Sequence, residues 1–274
     1  METGALSVAL EDADAGTVDE TPLFGEPDHP TAELWQHSTA IALFDAQADV
    51  PALLAAAAAL AGVPAPADYT IEAVADADWV RLTQSQFDPI PISSRLWIVP
   101  TWHTAPDAAA INLKLDPGLA FGTGSHPTTR LCLAWLDTHL AGGETLLDYG
   151  CGSGILAIAA ARLGAARVDG IDIDPQAVTA SRDNAALNDV EARFGLPGEL
   201  PETAYDVVVA NILTNPLKAM APLLAGRVRT GGQLVLSGIL VEQAEDVMAI
   251  YRDWFDFGPP AAEAGWVRLA GTRR

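Results

Sequence analysis

The chain has 274 residues, half of them hydrophobic, which is enough for a sizeable core in one large domain or two smaller ones. Fifteen basic residues against 36 acidic ones give a formal net charge of −21, which repels phosphate backbones and argues against direct DNA or RNA binding. Only two cysteines occur, Cys132 in a helical pattern and Cys151 in a glycine turn, so they read as small buried residues rather than a disulfide framework. The longest alanine- and leucine-rich run, Ala52 to Val63, is too short to span a bilayer, and no basic stretch precedes an apolar one at the N-terminus. The expected setting is therefore a reducing cytoplasm with no membrane partner.

Residues 1 to about 102 read as a small α+β unit. Ala5 to Leu10 alternates like a strand, an acidic loop with Pro and Gly runs from Glu11 to Pro30, and Glu33 to Phe44 holds a second strand. Asp49-Val50-Pro51 starts a helix that runs to Leu60 and stops at Gly62, with Pro51 suited to the first turn. Tyr69 to Val74 reads as a strand, Trp79 to Phe87 as a short helix closed by Asp88-Pro89, and Leu96 to Val99 as a strand. Trp79, Trp97 and Trp102 read as packing residues.

From residue 103 to 274 the texture changes. Ala110 to Leu115 is a strand, followed by a glycine-rich loop and an amphipathic helix to about Leu140 that buries Leu131, Trp135 and Leu136. Strands at Thr145, Val168, Tyr205 to Ala210 and Gln233 to Ser237 then alternate with helices at Ile155, Pro175, Pro216 to Val228 and Glu242 to Trp254. Gly231-Gly232 reads as a turn, and Trp254 to Phe257 with Gly265 to Leu269 closes the sheet as an antiparallel pair. Repeating βα units predict a parallel, doubly wound, Rossmann-like sheet.

Within that sheet, Leu146-Leu147-Asp148-Tyr149-Gly150-Cys151-Gly152-Ser153-Gly154 is an apolar strand that ends in an acid, turns through three glycines and enters a helix ending at Gly164. Asp172 follows Gly150 by 22 residues, at the end of the next strand. Glycines that let a ligand approach the backbone, with a carboxylate about 20 residues on for the ribose hydroxyls, make a nucleoside site. The pattern is G-x-G-x-G, with Ile155 where a dinucleotide fingerprint has its third glycine, and no phosphate loop occurs. No basic residue meets a phosphate, so an adenosine bearing a positive sulfonium fits best: S-adenosylmethionine. Ile173, beside Asp172, is placed to line an adenine slot, and no metal is expected.

Ligands in such sheets lie beyond the carboxyl ends of the strands. Asn211 ends the strand Val207-Val208-Val209-Ala210 at that edge, where its side-chain carbonyl can accept a hydrogen bond from a substrate amine and aim the lone pair at a methyl group. An Asn-Pro-Pro-aromatic motif would bring a stacking ring for a planar substrate. This chain has Ile212 and Leu213 instead, which favours a flexible aliphatic amine. The loop from Gly118 to Thr129 reads either as a linker ending in an N-cap at Thr128 or Thr129, or as a lid with Phe121 as apolar cover and Thr129 as polar contact. His126, before Pro127 in a turn, is a poor candidate for a general base.

Several runs together carry a resemblance to a known family. They are Leu115-Asp116-Pro117-Gly118-Leu119-Ala120-Phe121-Gly122-Thr123-Gly124 with His126-Pro127-Thr128-Thr129, the turn from Asp148 to Ala159, Gly170-Ile171-Asp172-Ile173-Asp174-Pro175, Ala210-Asn211-Ile212-Leu213, and Leu236-Ser237-Gly238-Ile239-Leu240. In these the chain resembles the PrmA family, the methyltransferases of large-subunit ribosomal protein eleven. The resemblance implies a class I S-adenosylmethionine-dependent methyltransferase domain over 103–274, preceded by a ferredoxin-like substrate-recognition domain and linker over 1–102. It also implies that Thr129, Gly150, Asp172 and Asn211 contact the cofactor; the reading of the residues themselves adds Phe121, Gly152 and Ile173. The implied substrate is ribosomal protein eleven, methylated by direct displacement at lysine side chains and at the N-terminal amine. Family members have a strand and a helix before the segment resembling Gly4-Ala5-Leu6-Ser7-Val8. Met1 falls where that helix should end, so either the start lies upstream or the recognition domain is shortened. The competing readings are a methyltransferase of another protein or small amine, a nicotinamide oxidoreductase, and a non-catalytic nucleotide-binding module.

Overall fold

The computed structural model describes residues 4–14, 17, 35, 37–73, 87–116 and 124–274. The helix expected at Trp79 to Phe87 lies outside them except for Phe87, and so does Phe121. The chain divides into two compact units, Met1–Asp78 and Trp79–Arg274, so the boundary expected near residue 102 falls within the second.

In the first unit, β1 (Ser7–Asp12) and β2 (Ser38–Leu43) pair antiparallel, with Ala9 opposite Ile41. Helix α1 (Val50–Ala61) follows, with Asp49 as its N-cap accepting from the Ala52 N–H at 3.2 Å. Gly62 ends it in the left-handed conformation that glycine adopts without strain. Residues 69–73 carry no regular structure, so the strand expected at Tyr69 to Val74 is absent from its described part. Tyr69 and Ile71 are exposed, and among the described residues no strand pairs with this alternating segment.

The second unit opens with a three-stranded sheet of β3 (Ile90–Pro91), β4 (Leu96–Val99) and β5 (Ile111–Lys114), β4 and β5 running parallel. Leu96, Ile98 and Leu113 are buried in one cluster with Cys132, Leu133 and Leu136 of helix α2 (Pro127–His139), and this is why these strands belong to the second unit. The main sheet then alternates with helices: β6 (Thr145–Tyr149), α3 (Ile155–Arg162), β7 (Arg167–Ile171), α4 (Pro175–Leu187), β8 (Arg193–Gly195) and β9 (Tyr205–Asn211). It continues through α5 (Thr214–Ala219), α6 (Ala221–Arg227), β10 (Val228–Leu240), α7 (Ala244–Tyr251), β11 (Phe255–Phe257), β12 (Ala261–Glu263) and β13 (Trp266–Arg273). The strand order is β11-β13-β10-β9-β6-β7-β8, parallel from β10 to β8 and antiparallel where β13 enters beside β10.

The strands are buried on both faces, so successive residues feed two cores. Leu146, Val207, Val209 and Val235 pack under α2 and α3, while Leu147, Val208, Leu234 and Leu236 pack under α5, α6 and α7.

The single helix expected from Pro216 to Val228 is two. Pro222 has no N–H to donate to the Lys218 carbonyl, and the chain breaks at Met220. The helix expected from Glu242 begins as a 3-10 turn over Val241–Gln243 and ends at Tyr251. Gly231-Gly232 is an irregularity within β10 rather than a separate turn, the pairing with β9 shifting register between Val228 and Gln233.

Candidate active site

The glycine turn is fixed by main-chain bonds. The N–H groups of Gly150 and Cys151 both donate to the Ile171 carbonyl at the end of β7, at 2.7 and 3.0 Å, and Gly154 donates to Cys151 at 2.7 Å. Gly150, Gly152 and Gly154 all have positive φ. A Cβ on Gly154 would stand 2.8 Å from Ser181 Cβ and 3.2 Å from the Phe194 ring, so this position requires glycine for space as well as for conformation.

Asp148 is fully buried at the end of β6. One carboxylate oxygen accepts from the Ala157 N–H at 3.1 Å in the first turn of α3, a capping role that the N-cap Gly154 cannot fill. Its other oxygen is buried and has no hydrogen-bond partner among the described residues. Burial, reinforced by the nearby Asp172 charge, pushes its pKa up to about 7 despite the helix N–H. Asp172 is half-buried and accepts from the Gly152 N–H at 2.8 Å and the Asp174 N–H at 3.0 Å, so the carboxylate expected to bind a ribose also braces the turn. Ile173 beside it is 81 % exposed, an apolar side chain left open at the sheet edge.

The register explains the meeting of β6 and β9: Asp148 pairs with Val209, which puts Asn211 level with Gly150. The Asn211 carboxamide N–H donates to the Thr129 hydroxyl at 3.3 Å, across 82 residues of sequence, and Thr129 is itself buried. Two candidate residues from separate motifs are thus in contact. Ile212 wedges between two glycines. A Cβ on Gly150 would stand 2.3 Å from its Cγ2, and one on Gly238, where φ is +84°, would stand 2.2 Å from its carbonyl oxygen. Thr214 is buried with its hydroxyl bonded to Gln243, so the fourth position of the Asn211 motif also brings no ring to the site.

His126, and neither threonine after it, is the N-cap of α2: its Nδ1 accepts from the Thr128 N–H at 3.3 Å and lies 2.7 Å from the Thr128 hydroxyl. Burial and then the Arg130 charge lower its pKa, which keeps the ring neutral for that role, and it packs edge-on against Trp266 at 4.9 Å. Sequence reasoning missed Phe194, whose ring occupies the space that a side chain at Gly154 or Gly170 would need. It also missed Asn184, which donates to the Ser153 carbonyl at 2.9 Å, and the Ile212–Gly238 contact.

These residues suit an adenosyl sulfonium. The acids Asp148 and Asp172 offer negative charge with one orphaned oxygen, and the turn supplies backbone that side chains cannot crowd. Among the described residues no group of three or more His, Cys, Asp or Glu side chains is arranged to hold a metal ion.

A doubly wound sheet of this strand order, with a glycine turn at its carboxyl edge and an acid at the end of the next strand, defines a class I S-adenosylmethionine-dependent methyltransferase. The family model "Ribosomal protein L11 methyltransferase (PrmA)" matches residues 1–274, and the chain belongs to that family. It is 80% identical over its whole length to the ribosomal protein L11 methyltransferase of Thiobacillus denitrificans, covering 93% of that relative, and 62% identical to that of Chromobacterium violaceum, covering 92%. A solved ribosomal protein L11 methylase from Lactobacillus delbrueckii subsp. bulgaricus aligns over 69% of this chain and all of its own, with 34% identity and a TM-score of 0.61.

Proposed function

We propose that this enzyme methylates lysine side chains and the N-terminal amine of ribosomal protein L11. The observation that carries the reading is the Asn211 carboxamide, tied by its nitrogen to buried Thr129 beside the glycine turn, with aliphatic residues where a ring-binding site has an aromatic. Asp172 binds the ribose hydroxyls of the cofactor, and the backbone at Gly150 and Gly152 lies against it. Ile173 flanks the adenine, and Thr129 and Asn211 face the methionine end.

Bound S-adenosylmethionine supplies an electrophilic methyl group and keeps the electron pair of the broken C–S bond. A free lysine is almost wholly protonated near neutral pH, with a pKa of about 10.4. Transfer into a dry pocket disfavours its charged form and frees the lone pair. The Asn211 carbonyl oxygen accepts a hydrogen bond from the neutral amine and orients that lone pair, so positioning rather than a strong general base supplies the acceleration. The net charge of −21 favours a cationic protein substrate and disfavours direct contact with nucleic acid. We place the reaction in the cytoplasm, where a ribosomal substrate is met; among the described residues no helix is long and apolar enough to cross a membrane.

The test is methyl transfer from labelled S-adenosylmethionine to purified L11, with mass spectrometry of the product. Methyl groups on lysines or on the N-terminal amine are expected. Cofactor binding without transfer to L11 would sink the substrate assignment.

A further inference from the structure

On the face of the main sheet covered by α2, a cavity of about 290 Å³ lies between that helix and β13. Alternate residues of β13, Arg268, Ala270 and Thr272, line it, together with Gln233 of β10 and with Trp135 and His139 of α2. Gln233 pairs with Val207, near the start of β9, whereas Asn211 ends that strand. The cavity therefore runs from the amino-terminal edge of the parallel strands, at Gln233 and Thr272, up β13 to Arg268, which lies opposite the irregularity between Leu236 and Ile239 and so near the level of Asn211.

Arg268 is anomalous there. Each of the other described arginines meets a carboxylate or an oxygen acceptor: Arg95 with Asp137, Arg130 with Glu263, Arg193 with Asp169, Arg273 with main-chain carbonyls, and the rest likewise. Among the described residues Arg268 has no such partner, and its Nε is buried without an acceptor. In a chain with 36 acids to 15 bases, an unmatched half-buried guanidinium is not for want of carboxylates. Leaving a buried charge unpaired is costly, and the cost is relieved by a partner that arrives from solution. Asp256 is on the rim, but its charge is already met by Arg274, at 2.9 Å from the arginine Nε.

The walls narrow the partner. Trp135 is 4 % exposed and stacks on His139, centroids 4.5 Å apart and planes 8° from parallel, while Ala270 and Pro259 add apolar surface. A guanidinium fork matches a carboxylate in bidentate geometry. The volume is at the small end for ligand pockets, which lie at roughly 300–1,000 Å³. We propose that this cavity is a second small-molecule site, taking a compact carboxylate with an apolar body, its carboxylate on Arg268 and its body against Trp135 and Ala270. A bare phosphate would set its polar surface against these walls and binds less well.

The test is calorimetric titration of the full chain with benzoate, inorganic phosphate and benzyl alcohol, with thermal unfolding alongside. Benzoate is expected to bind with a Kd of about 1 mM or tighter and to raise the melting temperature, phosphate and the neutral alcohol at least about tenfold more weakly. Arg268→Met should weaken benzoate by about tenfold or more, and Arg268→Lys by less. Ala270→Leu, which fills the cavity and leaves the arginine, should abolish binding, so a folding failure of one variant leaves the other decisive. Methyl transfer should stay within about twofold of wild type in each folded variant. No heat or stabilisation from benzoate with the wild-type protein overturns the proposal. Equal binding of benzyl alcohol removes Arg268 from it, and equal binding of phosphate removes the apolar body.

Discussion

The segment from Asp148 to Gly154 and the segment from Asn211 to Thr214 face the same cleft but are held by different means. The first is tied down by main-chain bonds to β7 and by two carboxylates that accept N–H groups from the turn and from α3. The second is placed by side chains: Thr129 on the Asn211 amide, Gln243 on Thr214, and Ile212 wedged between Gly150 and Gly238. Damage to the first should therefore show in cofactor affinity and local order, and damage to the second in turnover or in the fit of whole elements.

Gly238→Ala tests the wedge and should have the largest effect. It combines a positive φ with a Cβ 2.2 Å from main chain, so a loss of about 3 kcal/mol or more in denaturant unfolding is expected, with activity lost in step. A variant as stable as wild type would show that the Asn211 loop is not clamped there. Asn211→Ala should lower kcat about 100-fold while cofactor affinity changes less than about threefold. Unchanged turnover in steady-state kinetics would remove Asn211 from the mechanism. Asp172→Ala should weaken S-adenosylmethionine about 10- to 100-fold by calorimetry, since it removes a charged acceptor and a brace of the turn together. Normal affinity would defeat the ribose assignment. Thr129→Val keeps the shape but not the hydroxyl, and a fall in kcat of about three- to tenfold should separate it from Asn211→Ala.

The smallest effect concerns Asp148. An acid whose pKa is higher in the folded than in the unfolded chain takes up a proton on folding. Its charge therefore opposes folding above about pH 7, and that opposition fades as pH falls from about 7 towards the ordinary value of 3.8. Asp148→Asn should consequently melt higher than wild type at pH 8 in the absence of cofactor, with the gap narrowing as pH falls to 5 and closing near 3.8. A gap independent of pH would mean that the carboxylate is not the source of the difference.

Much of this arrangement was legible because its causes are local. The turn announces itself through three glycines between an acid and an alanine-rich run, and Gly62, Pro51 and Asp49 mark the bounds of α1 in the sequence. The break at Met220 was also written there, in Pro222, but a long amphipathic run hid it. The capping of α2 by His126 was not legible by residue type, since two threonines follow and threonine is the commoner cap. Strand β8 is three residues long and gives almost no periodicity, yet it delivers Phe194 beneath Gly154 and Gly170. The contact of Ile212 with Gly238 joins the loop after β9 to a position inside β10, and no local pattern reports such a fit.

Because the Ile212 side chain fills the space that a methyl group at 150 would claim, while its main-chain carbonyl lies against 238, a side chain at 150 needs a smaller residue at 212, whereas 238 must stay glycine whatever residue 212 becomes. The path of the chain after Asn211 is thus held by the backbone of β10 and not by the identity of the residue at 212, so that residue can vary while its carbonyl stays in place.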